Sequence, residues 1–232
     1  MQTFLSGVRG GLPLAAEQID LMLRVIEASG APVERFADLG CGNGILAGAI
    51  LGRHPAARAT LVDFSDPMIE QARAHLSAYA ANLRLVMADL SASDWVRSVE
   101  DQTPFDVIVS GYAIHHQPDQ RKRQLYGEVF GLLRPGGLFL NLEHVASPTP
   151  WVESISNELF VDTIHAFHAK NGSAKSREDV AIEYVFRPDK KLNLLTPVER
   201  QCGWLRELGF EDVDCYFKVF ELALFGGRRP KA

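Results

Sequence analysis

Apolar residues recur along this chain in two alternating periods. Ile19, Met22, Leu23 and Ile26 stand at i, i+3, i+4 and i+7, which predicts an amphipathic helix over residues 14–29, closed by Gly30 and Pro32. Short apolar runs then read as strands at Phe36-Ala37, Arg58–Val62, Leu83–Met87, Phe105–Ser110 and Leu138–Leu142. Between them, helices are predicted at Ile45–Leu51, from Asp66-Pro67 to near Ala80, and from Asp119 to Leu133, followed by a Pro135-Gly136-Gly137 turn. Strands alternating with helices predict an α/β chain with a parallel sheet, and no internal repeat interrupts the series.

The pattern changes after the fifth strand. Residues 147–196 carry helical segments and two proline breaks, with Trp151, Ile155, Leu159, Phe160, Ile164 and Phe167 forming a wide apolar surface, so a helical lid is expected there. Thr196-Pro197 opens a helix ending near Gly209, and Val213–Phe217 with Val219–Phe225 read as a closing antiparallel pair. The whole of 1–232 is expected to be one domain, with residues 1–30 as an N-terminal cap. The segment Ser6–Gly11 reads either as a flap over a site or as a frayed terminus.

The first predicted strand runs into Asp38-Leu39-Gly40-Cys41-Gly42-Asn43-Gly44, an acid followed by three alternate glycines at a strand-to-helix turn. Without Cβ atoms the backbone reaches positive φ, and a ligand can lie against main-chain amides. A dinucleotide fingerprint would put its third glycine at position 45; here Ile45 stands there and the glycine comes one residue early, which disfavours a nicotinamide cofactor.

The D-x-G-x-G-x-G turn resembles the cofactor loop of class I S-adenosylmethionine (SAM) methyltransferases, and later motifs over roughly residues 34–145 follow in the order of that family. The resemblance implies a doubly wound, mostly parallel seven-stranded sheet with a C-terminal antiparallel hairpin strand, and SAM as cofactor. It places Gly40, Gly42 and Gly44 against the methionine part, Asp63 on the ribose hydroxyls and Asp89 on the adenine amino group, with Phe64 and Leu90 flanking the purine. Asp38, Asn43, Met68, Ser110 and His115 complete the expected cofactor contacts. Asp63 lies about twenty residues beyond the turn, where an acid can accept from a diol.

Methyl transfer needs alignment, and a base only when the acceptor arrives protonated. His115 and His116 follow the fourth strand, at the sheet end where ligands bind in open α/β folds, and they either supply that base or order the loop. Glu143-His144 follows the fifth strand; its carboxylate could hold a substrate amine, orient a histidine, or fasten the lid. Asp162, His165 and His168 recur at three-residue steps, but this spacing drifts around a helix and no metal is expected. Cys41 is read as packing, and the runs Arg121-Lys122-Arg123 and Arg228-Arg229 as solvated. No N-P-P-Y or D-P-P-Y gripping a planar nucleobase amine follows the fourth strand, and no Asp, Asp, Asn set of a magnesium-dependent catechol enzyme is present.

Composition narrows the partners. The chain has 232 residues, 47% of them apolar, enough for a substantial core. A net charge of −5 gives no broad basic field, so nucleic acid is not expected as partner. Three cysteines without a C-x-x-C pair fit a reducing compartment, and the cytoplasm is the expected location; no membrane segment is read. The expected reaction is methyl transfer to an oxygen, nitrogen or sulfur of a small-molecule methyl acceptor, apolar or aromatic, with a homodimer as the candidate assembly. The rival readings are a SAM-binding enzyme of tRNA wobble-uridine modification and a non-catalytic SAM-binding partner subunit.

Overall fold

Strand β1 (Arg35–Leu39) is buried from Phe36 onward, as a central strand covered on both faces must be. The computed structural model describes residues 11–30, 32–186 and 192–231; of the glycine-bearing stretch read at 6–11, all but Gly11 lies outside them. Around β1 the chain adds β2 (Arg58–Asp63), β3 (Leu83–Met87), β4 (Phe105–Gly111), β5 (Leu133–His144), β6 (Glu211–Val219) and β7 (Leu222–Arg228). Their order is β3-β2-β1-β4-β5-β7-β6. Pairing is parallel from β3 through β5, while β7 runs antiparallel to both β5 and β6.

The strand order reverses between β1 and β4, and such a switch point opens a crevice at the carboxyl ends of the strands. Leu39 is level there with Val62 of β2 and Ser110 of β4, so three loops emerge side by side.

The helices are α1 (Ala15–Ala28), α2 (Ile45–Arg53), α3 (Asp66–His75), α4 (Asp119–Leu132), α5 (Pro150–Lys170), α6 (Arg177–Tyr184) and α7 (Val198–Glu207). Alternation along β5 divides the core: Leu138, Leu140 and Leu142 pack with Met22, Leu23, Ile45 and Ile50, whereas Phe139 packs with Tyr126, Val129 and Leu205. Ile19, Met22, Leu23 and Ile26 are all buried, as the helical spacing predicts. In the segment after β5, Val161 and Ile164 of α5 meet Val180 of α6 and Val185 in a separate small cluster. Among the described residues no helix is long and apolar enough to cross a membrane.

Three local expectations change. The helix from Asp66 ends at His75 and not near Ala80, because Leu76 turns inward against Gly44 and a 3₁₀ turn, Ser77–Asn82, follows. The turn at 135–137 lies inside β5, which starts at Leu133 and absorbs Gly136 at φ 76° as a register irregularity against β4. The basic run at 121–123 is not solvated throughout: Arg121 and Lys122 are buried, and only Arg123 is exposed.

Candidate active site

The glycine turn closes the β1 end by distinct means at each glycine. At Gly40, φ 65°, a Cβ would stand 2.2 Å from Ala113 Cβ, so the turn and the β4 loop touch only because no side chain intervenes. At Gly44, φ 78°, a Cβ would meet Leu76 Cδ1 at 2.9 Å. Gly42, φ 52°, differs: a Cβ there meets nothing within 4 Å, and the residue borders a cleft of about 1130 Å³.

That cleft is lined by Gly40, Gly42 and Asn43, by Asp63, Phe64 and Met68 after β2, and by Asp89 and Leu90 after β3. Asp63 Oδ2 accepts from the Gly42 N–H at 2.8 Å and Oδ1 from the Ser65 N–H at 2.9 Å, leaving each oxygen a further lone pair. Asp89 Oδ1 accepts from the Ser91 N–H at 2.8 Å, and the Phe64 ring is exposed.

Three residues expected at the cofactor lie beneath the cleft and not in its wall. Asp38 is buried and its Oδ2 accepts from the Ala47 N–H at 3.1 Å, tying the strand end to the first turn of α2. Ser110 is buried and donates to the Leu39 carbonyl at 2.8 Å, joining β4 to β1. Gly44 caps α2 and packs on Leu76. Cys41 lines the cleft with little exposure; burial, then the nearby Asp38 and Asp63 carboxylates, push its thiol pKa up, so it stays protonated.

A second, inner cavity of about 380 Å³ adjoins the cleft, with Tyr112 and His116 lining both. His115 lines the inner cavity and is absent from the cleft wall, which separates its two expected roles. Its Nδ1 lies 2.7 Å from Glu143 Oε1, and its backbone N–H donates to Glu143 Oε2 at 3.0 Å. Glu143 is fully buried; burial by itself would raise its pKa, but the His115 ring and the His144 N–H outweigh this and hold the carboxyl below its ordinary value. A carboxylate on Nδ1 favours the tautomer with its proton there, leaving Nε2 as the basic nitrogen.

The next histidine repeats the theme. His144 Nε2 lies 2.9 Å from Glu221 Oε2, and the His144 ring centroid is 5.7 Å from that of His115. Tyr112 sits between the two cavities at φ 56°, and its hydroxyl donates to Gln18 Oε1 at 2.7 Å. Gln18 in turn donates to the Pro13 carbonyl, so α1 holds the cavity edge formed by Leu12 and Pro13.

The buried cations serve the same loops. Arg121 donates to the Leu90 carbonyl at 2.8 Å and the Ala92 carbonyl at 3.0 Å, and pairs with Glu128, which also accepts from Trp95 at 2.6 Å. Lys122 donates to the Leu194 carbonyl and to Thr196 Oγ1, holding the wall at Leu192 and Leu194 across the cleft. Asp162 pairs with Arg177 at 2.7 Å and His168 neighbours Tyr184, away from the two cavities' shared wall.

Gln18 and Glu221 carry no local sequence signal for these positions. Glu221 reaches the cavity only because β7 pairs with β5 and brings the β6–β7 turn beside His144. Charge inside a predicted helix was the available sign for Arg121 and Lys122, since α4 turns that face inward.

Residues 36–137 match the family model of a methyltransferase domain. The chain is 30% identical over 195 residues to the carboxy-S-adenosyl-L-methionine synthase of Aeromonas hydrophila, covering 82% of this chain and 72% of that protein. It is 29% identical over 209 residues to the enzyme of the same name from Vibrio campbellii, covering 84% and 78%. Among solved structures, an O-methyltransferase family protein from Burkholderia thailandensis superposes with TM-score 0.61 at 19% identity, over 99% of this chain and 62% of that one. Human N-acetylserotonin methyltransferase, solved with SAM, gives TM-score 0.54 at 15% identity, over 93% and 56%. This chain thus spans less than two thirds of those two solved chains.

The cleft fits the cofactor these relatives share. Open space beside Gly42 admits a ligand against main-chain amides, and acids able to accept hydrogen bonds stand at the ends of β2 and β3 in the same cleft. Strand order, glycine turn and sequence relationship converge: the chain belongs to the class I S-adenosylmethionine-dependent methyltransferase family and is an enzyme of that type, with SAM as its cofactor.

Proposed function

We propose that the chain moves a methyl group from SAM to a proton-bearing oxygen, nitrogen or sulfur of a small molecule seated in the inner cavity. The observation that carries this reading is the His115–Glu143 pair, at 2.7 Å, in the wall of a cavity that shares Tyr112 and His116 with the cofactor cleft. In this reading Gly42, Asn43, Asp63 and Asp89 hold the cofactor, with Phe64, Met68 and Leu90 as its apolar contacts. When bound, SAM supplies a methyl group on a positively charged sulfur, which is open to in-line displacement.

His115 Nε2 takes the acceptor's proton as the new bond forms, and Glu143 keeps Nδ1 protonated and offsets the imidazolium charge. Glu143 touches no substrate in this scheme and is a positioning residue. Tyr112 and His116, common to both cavities, align acceptor and donor. A cavity volume of about 380 Å³, at the lower end of ligand pockets, suits a small molecule.

The curated relatives support a second reading, in which SAM itself is the molecule modified and receives a carboxyl group. Methyl transfer is the reading preferred here because the His115–Glu143 pair suits removal of a proton from an acceptor. Mass spectrometry after incubation with SAM and a panel of small phenols, amines and thiols tests both. A methylated acceptor with an equal amount of S-adenosylhomocysteine supports methyl transfer; carboxylated SAM without any methylated acceptor would replace it.

A further inference from the structure

Tyr112 and His116 border both the cofactor cleft and the inner cavity, so a group transferred from one to the other passes beside them. The Tyr112 ring is fixed at both ends. At the backbone end, its N–H donates to the Leu142 carbonyl of β5 at 2.8 Å, and φ is 56°, a left-handed conformation that a residue other than glycine keeps only where its surroundings impose it. The next residue, Ala113, fills the space that a side chain at position 40 would need, which blocks the loop on the side of the glycine turn.

At the other end, the hydroxyl donates to Gln18 Oε1 at 2.7 Å. The direction of this bond follows from Gln18 itself, a buried residue of α1 that lines neither cavity. The Pro13 carbonyl, 2.7 Å from Nε2, can only accept, so Nε2 faces it and Oε1 is turned to the tyrosine. Because the hydroxyl lies on the long axis of the ring, holding the backbone and this oxygen holds the ring between them. Its proton is committed to Gln18, so the ring acts at the opening by its shape.

Building on the methyl-transfer reading of the same site, we propose that the Tyr112 ring is the specificity element that limits the size of the group carried on the cofactor's sulfur, and that Gln18 is the positioning residue that holds the ring there. A methyl group fits beside the ring, and a longer chain meets it. One hydrogen bond thereby couples α1 to the choice of donor.

Calorimetric titration of the full chain with SAM, S-adenosyl-L-ethionine and the S-propyl analogue compares sulfonium cofactors of equal charge that grow by a methylene at each step. The wild type is expected to bind the ethyl analogue at least about tenfold more weakly than SAM, and the propyl analogue more weakly again, as a closely fitting wall discriminates per methylene. Gln18→Leu and Tyr112→Phe should each narrow the ratio of SAM to ethyl affinity to about threefold or less by releasing the ring, the double variant no further than either, and Tyr112→Ala should abolish it. Each protein's own SAM affinity is the reference, so a general loss of cofactor binding cancels, and a bond with a merely structural role leaves the ratio at its wild-type value. Should a variant not fold or not bind SAM, the wild-type ranking decides. Analogues bound by the wild type as tightly as SAM would overturn the proposal; a wild-type ratio kept by folded Tyr112→Ala overturns the role of the ring, and one kept by folded Gln18→Leu that of the bond. Because these ratios need no acceptor, they fail independently of the product analysis that tests methyl transfer.

Discussion

Glu143 holds His115 twice: Oε1 lies 2.7 Å from the ring Nδ1 and Oε2 accepts the residue's own backbone N–H at 3.0 Å. One carboxylate from β5 thereby fixes both the loop after β4 and the tautomer of its histidine. Ordering of the loop and orientation of its histidine, weighed separately in the sequence, are achieved here by the same carboxylate.

His115→Gln is therefore expected to lower kcat by about 10²- to 10⁴-fold, the usual contribution of a positioned base. S-adenosylhomocysteine affinity should stay unchanged, because His115 does not line the cofactor cleft. Steady-state kinetics beside calorimetry separates the two; a loss confined to cofactor affinity would assign His115 to the cleft instead.

Glu143→Gln should cost about 1–3 kcal/mol of stability, as a buried charge-assisted bond is weakened. The wild-type carboxyl sits below its ordinary pKa, so its stabilising contribution is complete above the ordinary carboxylate range and is lost as pH falls through the folded value. Thermal melts should show the largest gap between wild type and variant near neutrality, closing below about pH 4. A gap that widens in acid would refute the ionised pair.

Asp63→Ala should weaken S-adenosylhomocysteine binding by at least about a hundredfold, as expected when a carboxylate accepting from a diol is removed. The fold should also lose a few degrees of melting temperature, because Gly42 and Ser65 lose their acceptors. Near-normal affinity in calorimetry would withdraw the ribose assignment.

The glycines can be told apart by a single methyl. Gly40→Ala drives Cβ to 2.2 Å from Ala113 Cβ at positive φ and should cost about 1–3 kcal/mol in chemical denaturation. Gly42→Ala has open space around its Cβ, so its main loss should appear in cofactor affinity. Equal stability losses would mean that the two turn positions are doing the same job.

Arg121→Ala should destabilise by about 3–5 kcal/mol, since Glu128 and two carbonyls lose a buried cation, and cofactor affinity should fall as the Leu90 loop loosens. Arg123→Ala, two residues on, removes only an exposed pair with Glu207 and should be silent by the same melts.

The periodic parts of this chain were readable because one-dimensional spacing dictates them. Apolar residues at helical spacing determined α1, short apolar runs the parallel strands and the closing pair, and Gly40, Gly42 and Gly44 marked the turn because few residues other than glycine adopt those angles. The acids Asp63 and Asp89 followed from their places at strand ends. The pairing of Glu143 with His115, by contrast, depends on β4 and β5 lying side by side, and Glu221 enters the cavity through the antiparallel pairing of β7 with β5. Arg121 and Lys122 read as solvated until α4 took up its rotation on the sheet. Spacing along the chain is a local property, whereas which side chains meet across 28 residues, as His115 and Glu143 do, or across 77, as His144 and Glu221 do, is decided only when strand order and helix rotation are fixed by burial of the common core.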